Sequence, residues 1–92
     1  MLKFEWDPRK GNSNLKKHRV SFEEATTCFY DPMHILIDDP ESSADEERLV
    51  LIGTSSRSKL LVVVHLDAGQ DRVRLISARA ASKNEHKQYE EV

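Results

Sequence analysis

The stretch Lys59-Leu60-Leu61-Val62-Val63-Val64-His65-Leu66 decides the fold, because it is nearly all apolar. An apolar run of this length between turn residues predicts a strand that is buried on both faces. Turn-forming segments at residues 54–58 and 67–70 connect it to further predicted strands at 48–53 and 72–78. Such short connections require antiparallel pairing. We therefore expect a meander with residues 59–66 at its centre.

Elements on both sides of this stretch complete an α+β fold. A fourth strand of the antiparallel sheet is predicted at residues 34–38, and Leu2, Phe4 and Trp6 alternate as in a short strand, which we place at an edge. Asp7-Pro8 predicts the start of a polar surface helix that ends near residue 18. Capping-box patterns at residues 21–24 and 82–85 predict a second helix, ended by Pro32, and a C-terminal helix through residue 91.

The length and composition indicate one domain, residues 1–92, in a reducing compartment. A chain of 92 residues has room for one hydrophobic core. Its longest apolar run is too short to cross a membrane, and the N-terminus does not resemble a secretory signal. The single cysteine, Cys28, cannot form an internal disulfide. We expect a cytoplasmic protein.

The net charge of −2 hides a strong division along the chain. Nine acidic residues and no Lys or Arg lie between residues 21 and 47. All 14 basic residues therefore share the rest of the chain with 16 − 9 = 7 acidic residues, a balance of +7. This division predicts a basic side that could bind an anionic partner and a separate acidic side.

Metal and cofactor chemistry find little support in the sequence. Nucleotide-binding loops and paired metal-ligand motifs are absent, and the four histidines are scattered. Cys28 lies in a predicted helix with aromatic neighbours and no basic residue nearby. Buried free thiols usually behave as small hydrophobes. We expect no metal ion and no cofactor.

Three arginines in the last predicted strand are the most informative polar residues. Arg72 and Arg74 lie two apart and share a face, whereas strict alternation places Arg79 on the other face unless a bulge redirects it. One interpretation is an exposed sheet face with ordinary salt bridges. The other is an anion site, because planar guanidinium groups bind phosphate through two parallel hydrogen bonds.

Glu47 and His18 have the same ambiguity. Glu47 precedes the strand at 48–53, where a carboxylate is either solvated or placed beside the arginines as a base. His18 follows Lys16 and Lys17 at the predicted end of the first helix, a position that favours a charged imidazole. Histidine is also the residue type that exchanges protons most readily near neutral pH.

Residues along almost the whole chain resemble the BrnT-type toxins. The matching residues are Phe4-Glu5-Trp6-Asp7, Lys10, Asn14, Lys17-His18, Val20 to Ala25, Phe29, Asp31-Pro32, Glu46-Glu47-Arg48, Ile52-Gly53, Leu61 to Val64, Arg72-Val73-Arg74, Ile76 to Arg79, Ala81, Glu85 and Tyr89-Glu90. None of these pieces is diagnostic by itself, but their order and spacing are specific.

The resemblance implies a ribonuclease toxin of a type II toxin–antitoxin system, with a fold related to the RelE toxins. It also implies a ribbon-helix-helix antitoxin that neutralises the toxin, and a complex that represses its own promoter. Metal-independent RNA cleavage needs a proton acceptor, a proton donor and cations for the charge on phosphorus. On this basis the predicted catalytic residues are His18, Glu47, Arg74 and Arg79. The predicted RNA-binding residues are Lys10, Lys17, Arg48 and Arg72.

Two positions depart from the family pattern and leave other functions open. Arg19 stands where the family usually has a glycine, so the turn there must be strained or differently shaped. Ala80 stands where the family usually has a basic residue. A weak or inactive homologue that acts as a protein-binding module is one alternative. An unrelated nucleic-acid-binding domain is another, although the strands from residue 48 onward hold no aromatic residue for base stacking.

Overall fold

The structure of the chain is a computed structural model that describes residues 1–42 and 47–91. Its elements, in order, are β1 (Lys3–Glu5), α1 (Pro8–His18), α2 (Phe22–Thr27) with a 3₁₀ turn (Cys28–Tyr30), β2 (Ile35–Asp38), β3 (Arg48–Thr54), β4 (Leu60–Gly69), β5 (Arg72–Ala80) and α3 (Lys83–Glu90). Each predicted element is present. In the described part of the chain, no helix is both long and apolar enough to span a bilayer.

The sheet has five strands in the order β1-β5-β4-β3-β2. Strands β2 to β5 form the expected antiparallel meander, with β4 at the centre. The prediction of a four-stranded antiparallel sheet was wrong in one respect: β1 pairs in parallel with β5, which makes the sheet mixed. Loop length constrains only strands that follow each other directly, and β1 lies almost 70 residues from β5 in the register Glu5↔Arg74. The expected position of β1 at an edge is confirmed.

The two faces of the sheet are covered unequally. The inner face carries Leu61, Val63 and Leu75, which pack with Phe22 and Ala25 of α2 in the main core. On the outer face Ile52 and Val62 are buried as well, although they lie outside that core cluster. The Tyr89 hydroxyl of α3 donates to Asp31 Oδ2 at 2.6 Å and accepts from Thr54 Oγ1 at 3.2 Å, which docks α3 on this face. The prediction that the central strand is buried on both faces is confirmed.

Local side-chain bonds fix the helix starts. Asp7 caps α1 by accepting from the Arg9 N–H, and Ser82 and Glu85 form the complete predicted capping box of α3. Ser21 caps α2 by accepting from the Glu24 N–H at 3.0 Å. The second half of the predicted box was wrong, because the Glu24 carboxylate accepts instead from the hydroxyl of Ser55, a buried residue, at 2.7 Å. This bond ties α2 to the turn between β3 and β4.

Asn14 fixes α1 to the sheet. Its side chain is buried, and its Nδ2 donates to Val20 O at 2.9 Å and to Ala78 O at 2.8 Å. Its Oδ1 accepts from the Ala78 N–H at 3.0 Å. The sequence predicts a polar surface helix here, but the Asn14 amide bonds to the backbone of β5 beyond the end of β1, as a neighbouring strand would.

We expect Asn14→Ala to lower the free energy of unfolding by about 3 kcal/mol, because it leaves three buried backbone groups without partners. Asn12, which is exposed on the same helix, provides the control. Asn12→Ala should change the free energy by less than about 0.5 kcal/mol in urea titrations. Because alanine favours helix more than asparagine does, helix propensity predicts no loss for either variant. Equal losses for the two variants would therefore show that the bonds of the buried amide do not explain the effect.

Arg19 ends α1 in the left-handed conformation, with φ 60° and ψ 26°, and its N–H donates to Leu15 O. This is the backbone position for which glycine is preferred, and the strain expected from the sequence is present.

Arg19→Gly should therefore raise the free energy of unfolding by about 0.5–1 kcal/mol. Arg19→Ala is the matched control, because it removes the guanidinium but keeps a Cβ in the strained conformation. Thermal unfolding measures both. A gain in stability with alanine as large as that with glycine would assign the effect to charge instead of backbone strain.

Candidate functional site

A bulge in β5 brings its arginines to one face. The register shifts between the pairs Val64↔Ser77 and His65↔Leu75, so Ile76 is the extra residue. Arg74 pairs with Leu66 and Arg79 with Val62, which lie four residues apart on β4 and hence on one face. Without the bulge, Arg79 would point toward the core. The redirection that the sequence left open is therefore present.

The outer face also carries Arg48, one of the predicted RNA-binding residues. Arg48 pairs with Leu66 from the other side, so Arg48, Leu66 and Arg74 form a row across the sheet. Standard strand spacings put the backbones of Arg48 and Arg74 about 10 Å apart, and those of Arg74 and Arg79 about 13 Å apart. The structure thus places these three arginines on one surface.

Glu5 of β1 is the counterion of two arginines. Its Oε1 lies 3.5 Å from Nη1 of Arg72, and its Oε2 accepts from Nη1 of Arg74 at 3.2 Å. Arg72 and Arg74 flank Val73, a core residue, so both project from the outer face. All three charged side chains remain partly exposed. Glu5 holds the two guanidinium groups beside each other at the β1 edge.

Arg79 makes the closest ion pair among the described residues. Its Nη1 and Nη2 donate to the two carboxylate oxygens of Glu85 at 2.7 and 2.8 Å. This bidentate bond is the main reason that the pKa of Glu85 falls from an ordinary value of 4.5 to about 2, and it raises the pKa of Arg79. The Glu85 carboxylate also accepts from the Ser82 N–H at 2.8 Å. One side chain therefore caps α3 and orients Arg79.

The basic end of α1 lies against β5. A shallow cleft of about 260 Å³ is lined by Lys10, Ser13, Asn14, Lys17, His18, Ile76 and Ser77; we call it the α1 cleft. Ser77 pairs with Val64, on the outer face between the rows of Arg74 and Arg79. The α1 cleft therefore reaches the strand that carries the arginines. It brings the predicted residues Lys10, Lys17 and His18 together.

Glu47 lies elsewhere. It is exposed just before β3 and lines a second cleft of about 300 Å³ with Asp38, Ser42 and Arg48. The two proton-transfer candidates, Glu47 and His18, thus line separate clefts on opposite sides of β4. Glu46, which is part of the family pattern, lies outside the described residues.

Nucleophilic and metal sites are not evident in the described residues. Burial raises the pKa of the Cys28 thiol to about 12, so the thiol stays protonated at neutral pH. Within residues 1–42 and 47–91, no three His, Cys, Asp or Glu side chains converge closely enough to hold a metal ion.

The residues that organise this region were not among the predicted site residues. Glu5 required the parallel pairing of β1 with β5, which the sequence did not indicate. Glu85 was predicted as a capping residue, and its spacing of six residues from Arg79 was the available signal. Ser77 and Asn14 gave no signal by composition, although both belong to the segments that resemble BrnT.

Comparison with known proteins identifies the family of the chain. Residues 6–85 match the family model described as the ribonuclease toxin BrnT of type II toxin–antitoxin systems. The chain belongs to the BrnT family. A crystal structure of the Brucella abortus ribonuclease toxin BrnT is similar, with a TM-score of 0.65 and 26% sequence identity. The alignment covers 90% of this chain and 100% of that one. No curated protein matches the chain.

Family membership accounts for the general features of the molecule. The α+β fold, with three helices and a five-stranded mixed sheet, is similar to that of the Brucella toxin. The family is one of ribonuclease toxins, and a type II system implies an antitoxin partner.

The Arg79–Glu85 pair predicts a defined pH dependence. Because the pKa of Glu85 is lowered on folding, its stabilising effect is complete above pH 5 and is lost as the pH falls toward 2. Glu85→Gln keeps the capping pattern but removes the charge. The substitution should lower the free energy of unfolding by about 1 kcal/mol at pH 7. The effect is modest because the Arg79 side chain is partly solvent-exposed.

Urea unfolding of the wild type and Glu85→Gln from pH 7 down to pH 3 measures this effect. The difference between the two proteins should shrink steadily below pH 5. A difference that stays constant over this range would show that the ionised pair contributes nothing to stability.

Proposed function

We propose that this chain is a metal-independent ribonuclease toxin that stops translation by cleaving RNA. The observation that carries the proposal is the α1 cleft beside β5, where Lys10, Lys17 and His18 adjoin the strand that presents Arg74 and Arg79. Ser77, which lines the cleft, lies on β5 between Arg74 and Arg79. RNA offers the matching ligand, a chain of phosphates at regular spacing.

Electrostatic stabilisation is the main task that we assign to the arginines. In cleavage through the 2′-hydroxyl, the attacking oxygen bonds to phosphorus while the 5′-oxygen leaves, so negative charge grows on the phosphoryl oxygens. Guanidinium groups already held in place stabilise that charge without reorganising. We assign this role to Arg74 and Arg79. Lys10, Lys17, Arg48 and Arg72 would bind neighbouring phosphates.

Proton transfer is assigned to His18 in preference to Glu47. The 2′-hydroxyl must lose a proton, and the leaving 5′-oxygen must gain one. His18 lines the same cleft as Lys10 and Lys17, directly beside β5, which supports a role near the reacting phosphate. Glu47 lines the second cleft with Arg48, and it remains the alternative proton acceptor for an RNA bound across the whole outer face.

The carboxylate partners of the arginines favour a second candidate function. Glu5 and Glu85 partly neutralise Arg72, Arg74 and Arg79, and Ala80 removes one cation of the family pattern. A weak or inactive homologue that serves as a protein-binding module would have these features. Exposed ion pairs are worth only about 0–1 kcal/mol, however, so a phosphate can replace a carboxylate at small cost. We therefore favour the ribonuclease.

The proposed function also includes an antitoxin as protein partner. The family implies an antitoxin, and we propose a ribbon-helix-helix protein that neutralises the toxin and forms with it a repressor of their shared promoter. DNA contact would then occur through the antitoxin. An adjacent reading frame that encodes a ribbon-helix-helix protein would support this arrangement. We place the toxin in the cytoplasm as a single domain.

The decisive measurement is RNA cleavage by the purified protein in EDTA. Arg79→Ala should reduce the rate about 10²–10³-fold, the usual effect of losing one preorganised donor to the transition state. His18→Gln should reduce it by a similar factor. Expression of the wild type should arrest growth, and co-expression of the antitoxin should relieve the arrest.

Arg57→Ala is the matched control, because Arg57 is an exposed arginine in the β3–β4 turn and lines a different hollow with Arg19. It should cleave RNA at the wild-type rate. Full toxicity of Arg79→Ala would reject the assigned site. Intact RNA after incubation with a wild-type protein that still binds the antitoxin would favour the protein-binding module.

A further inference from the structure

The outward side of β2 is apolar with acidic residues nearby. The surface around β5, by contrast, carries Arg72, Arg74 and Arg79. Among residues 1–42 and 47–91, β2 is the last strand of the sheet, on the side opposite β1. Leu36 and Ile37 are 52% and 42% exposed, unusually high values for leucine and isoleucine in a strand. Open strand edges with apolar side chains tend to pair with another chain. We call the open side of Ile35–Asp38 the β2 edge.

The hydrogen-bond pattern shows which backbone groups this edge offers. The Asp39 N–H donates to Arg48 O at 3.0 Å, which fixes the alternation along the β2–β3 ladder. Ile35 and Ile37, two and four residues earlier, direct their backbone groups to β3. The N–H and C=O groups of Leu36 and Asp38 therefore point outward. They present the two donors and two acceptors that an added strand requires.

The side chains add apolar contacts on both faces. Leu36 pairs with Leu51 on the inner face, whereas Ile37 pairs with Val50 on the outer face. Leu36 also forms part of the wall of an apolar hollow of about 210 Å³, together with Phe29, Leu49 and Val73. An added strand could thus pack alternate side chains against Leu36 and Ile37.

The negative charge near the β2 edge favours a partner that carries basic residues. Residues 31–42 contain four carboxylates and no Lys or Arg, and Asp38 and Glu41 are exposed. A second copy would bring the carboxylates of Asp38, Asp39 and Glu41 from both chains to one seam, which disfavours self-association. RNA would be repelled in the same way. A protein segment with basic residues would be attracted.

We propose that the β2 edge is a docking site for an extended segment of a partner protein in which apolar residues alternate with Lys or Arg. The segment adds to the sheet as a sixth strand beside β2. The natural source of such a segment is the antitoxin, and this identification rests on the proposed function. Because the β2 edge and β5 lie on opposite sides of β4, docking there does not require displacement of Arg74 or Arg79. Arg48 is the predicted RNA-binding residue that lies near the edge, in one cleft with Asp38.

The test uses a synthetic peptide, so that it does not depend on ribonuclease activity. The probe is an end-blocked octapeptide of alternating valine and lysine, titrated into the whole protein at low salt. It should bind at least tenfold more tightly than its valine–glutamate counterpart. Methylation of the peptide amides that would face β2 should weaken binding at least tenfold. Equal affinity of the valine–lysine, valine–glutamate and methylated peptides would overturn the proposal, as would an absence of binding.

Amide hydrogen exchange gives a readout specific to the register. Binding of the valine–lysine peptide should slow exchange at the Leu36 and Asp38 amides, which point outward, and leave the Ile37 amide, already bonded to β3, unchanged. Binding without protection at these two amides would indicate charge attraction alone and would contradict strand addition.

Variants of the protein complete the design. Leu36→Lys should reduce peptide affinity at least tenfold, whereas Leu15→Lys, at a leucine of α1 that is 48% exposed, should bind as the wild type does. Asp38→Lys provides a second edge variant if the first fails to fold. Unchanged affinity in the edge variants would overturn the proposal, and so would a wild-type dimer that Leu36→Lys converts to a monomer. A protein that binds the peptide but leaves RNA intact would retain this inference and lose the proposed function.

Discussion

The side-chain amide of Asn14 is the contact on which the rest of the structure depends. Strand β1 covers β5 only as far as the pair Glu5↔Arg74, so in the described part of the chain the backbone groups of Ala78 face no further strand. The Asn14 amide donates to Ala78 O and accepts from its N–H, as a strand residue would. A third bond to Val20 O secures the chain as it enters α2. One buried side chain thus closes the sheet edge and connects α1, α2 and β5.

This contact also determines where the basic residues lie. Because Asn14 holds α1 against β5, Lys17 and His18, one turn later, must lie beside the same strand. The bulge at Ile76 then turns Arg79 to the face of Arg74. Two local features, one amide and one extra residue, therefore place the basic end of α1 beside the strand that carries Arg74 and Arg79. The site follows from the same contacts that close the fold.

The sequence was sufficient to predict elements but not their long-range partners. Apolar runs, caps and turn residues act over a few positions, and they located all of the helices and strands. The parallel pairing of β1 and the hydrogen bonds between the Asn14 side chain and Ala78 join residues more than 60 positions apart, and no local pattern encodes them. At the candidate site, the arginines could be identified from the sequence by their residue type. Their counterions Glu5 and Glu85 became apparent only in three dimensions.

The division of charge has a structural meaning that the net value of −2 conceals. Seven acidic residues lie outside the acidic segment, and two of them, Glu5 and Glu85, bind arginines on β5. A carboxylate and a phosphate present the same pair of acceptor oxygens to a guanidinium group. Under the proposed function, a phosphate would replace these carboxylates, because solvent already weakens the exposed ion pairs. Until then the two carboxylates relieve the charge repulsion among the arginines of the outer face.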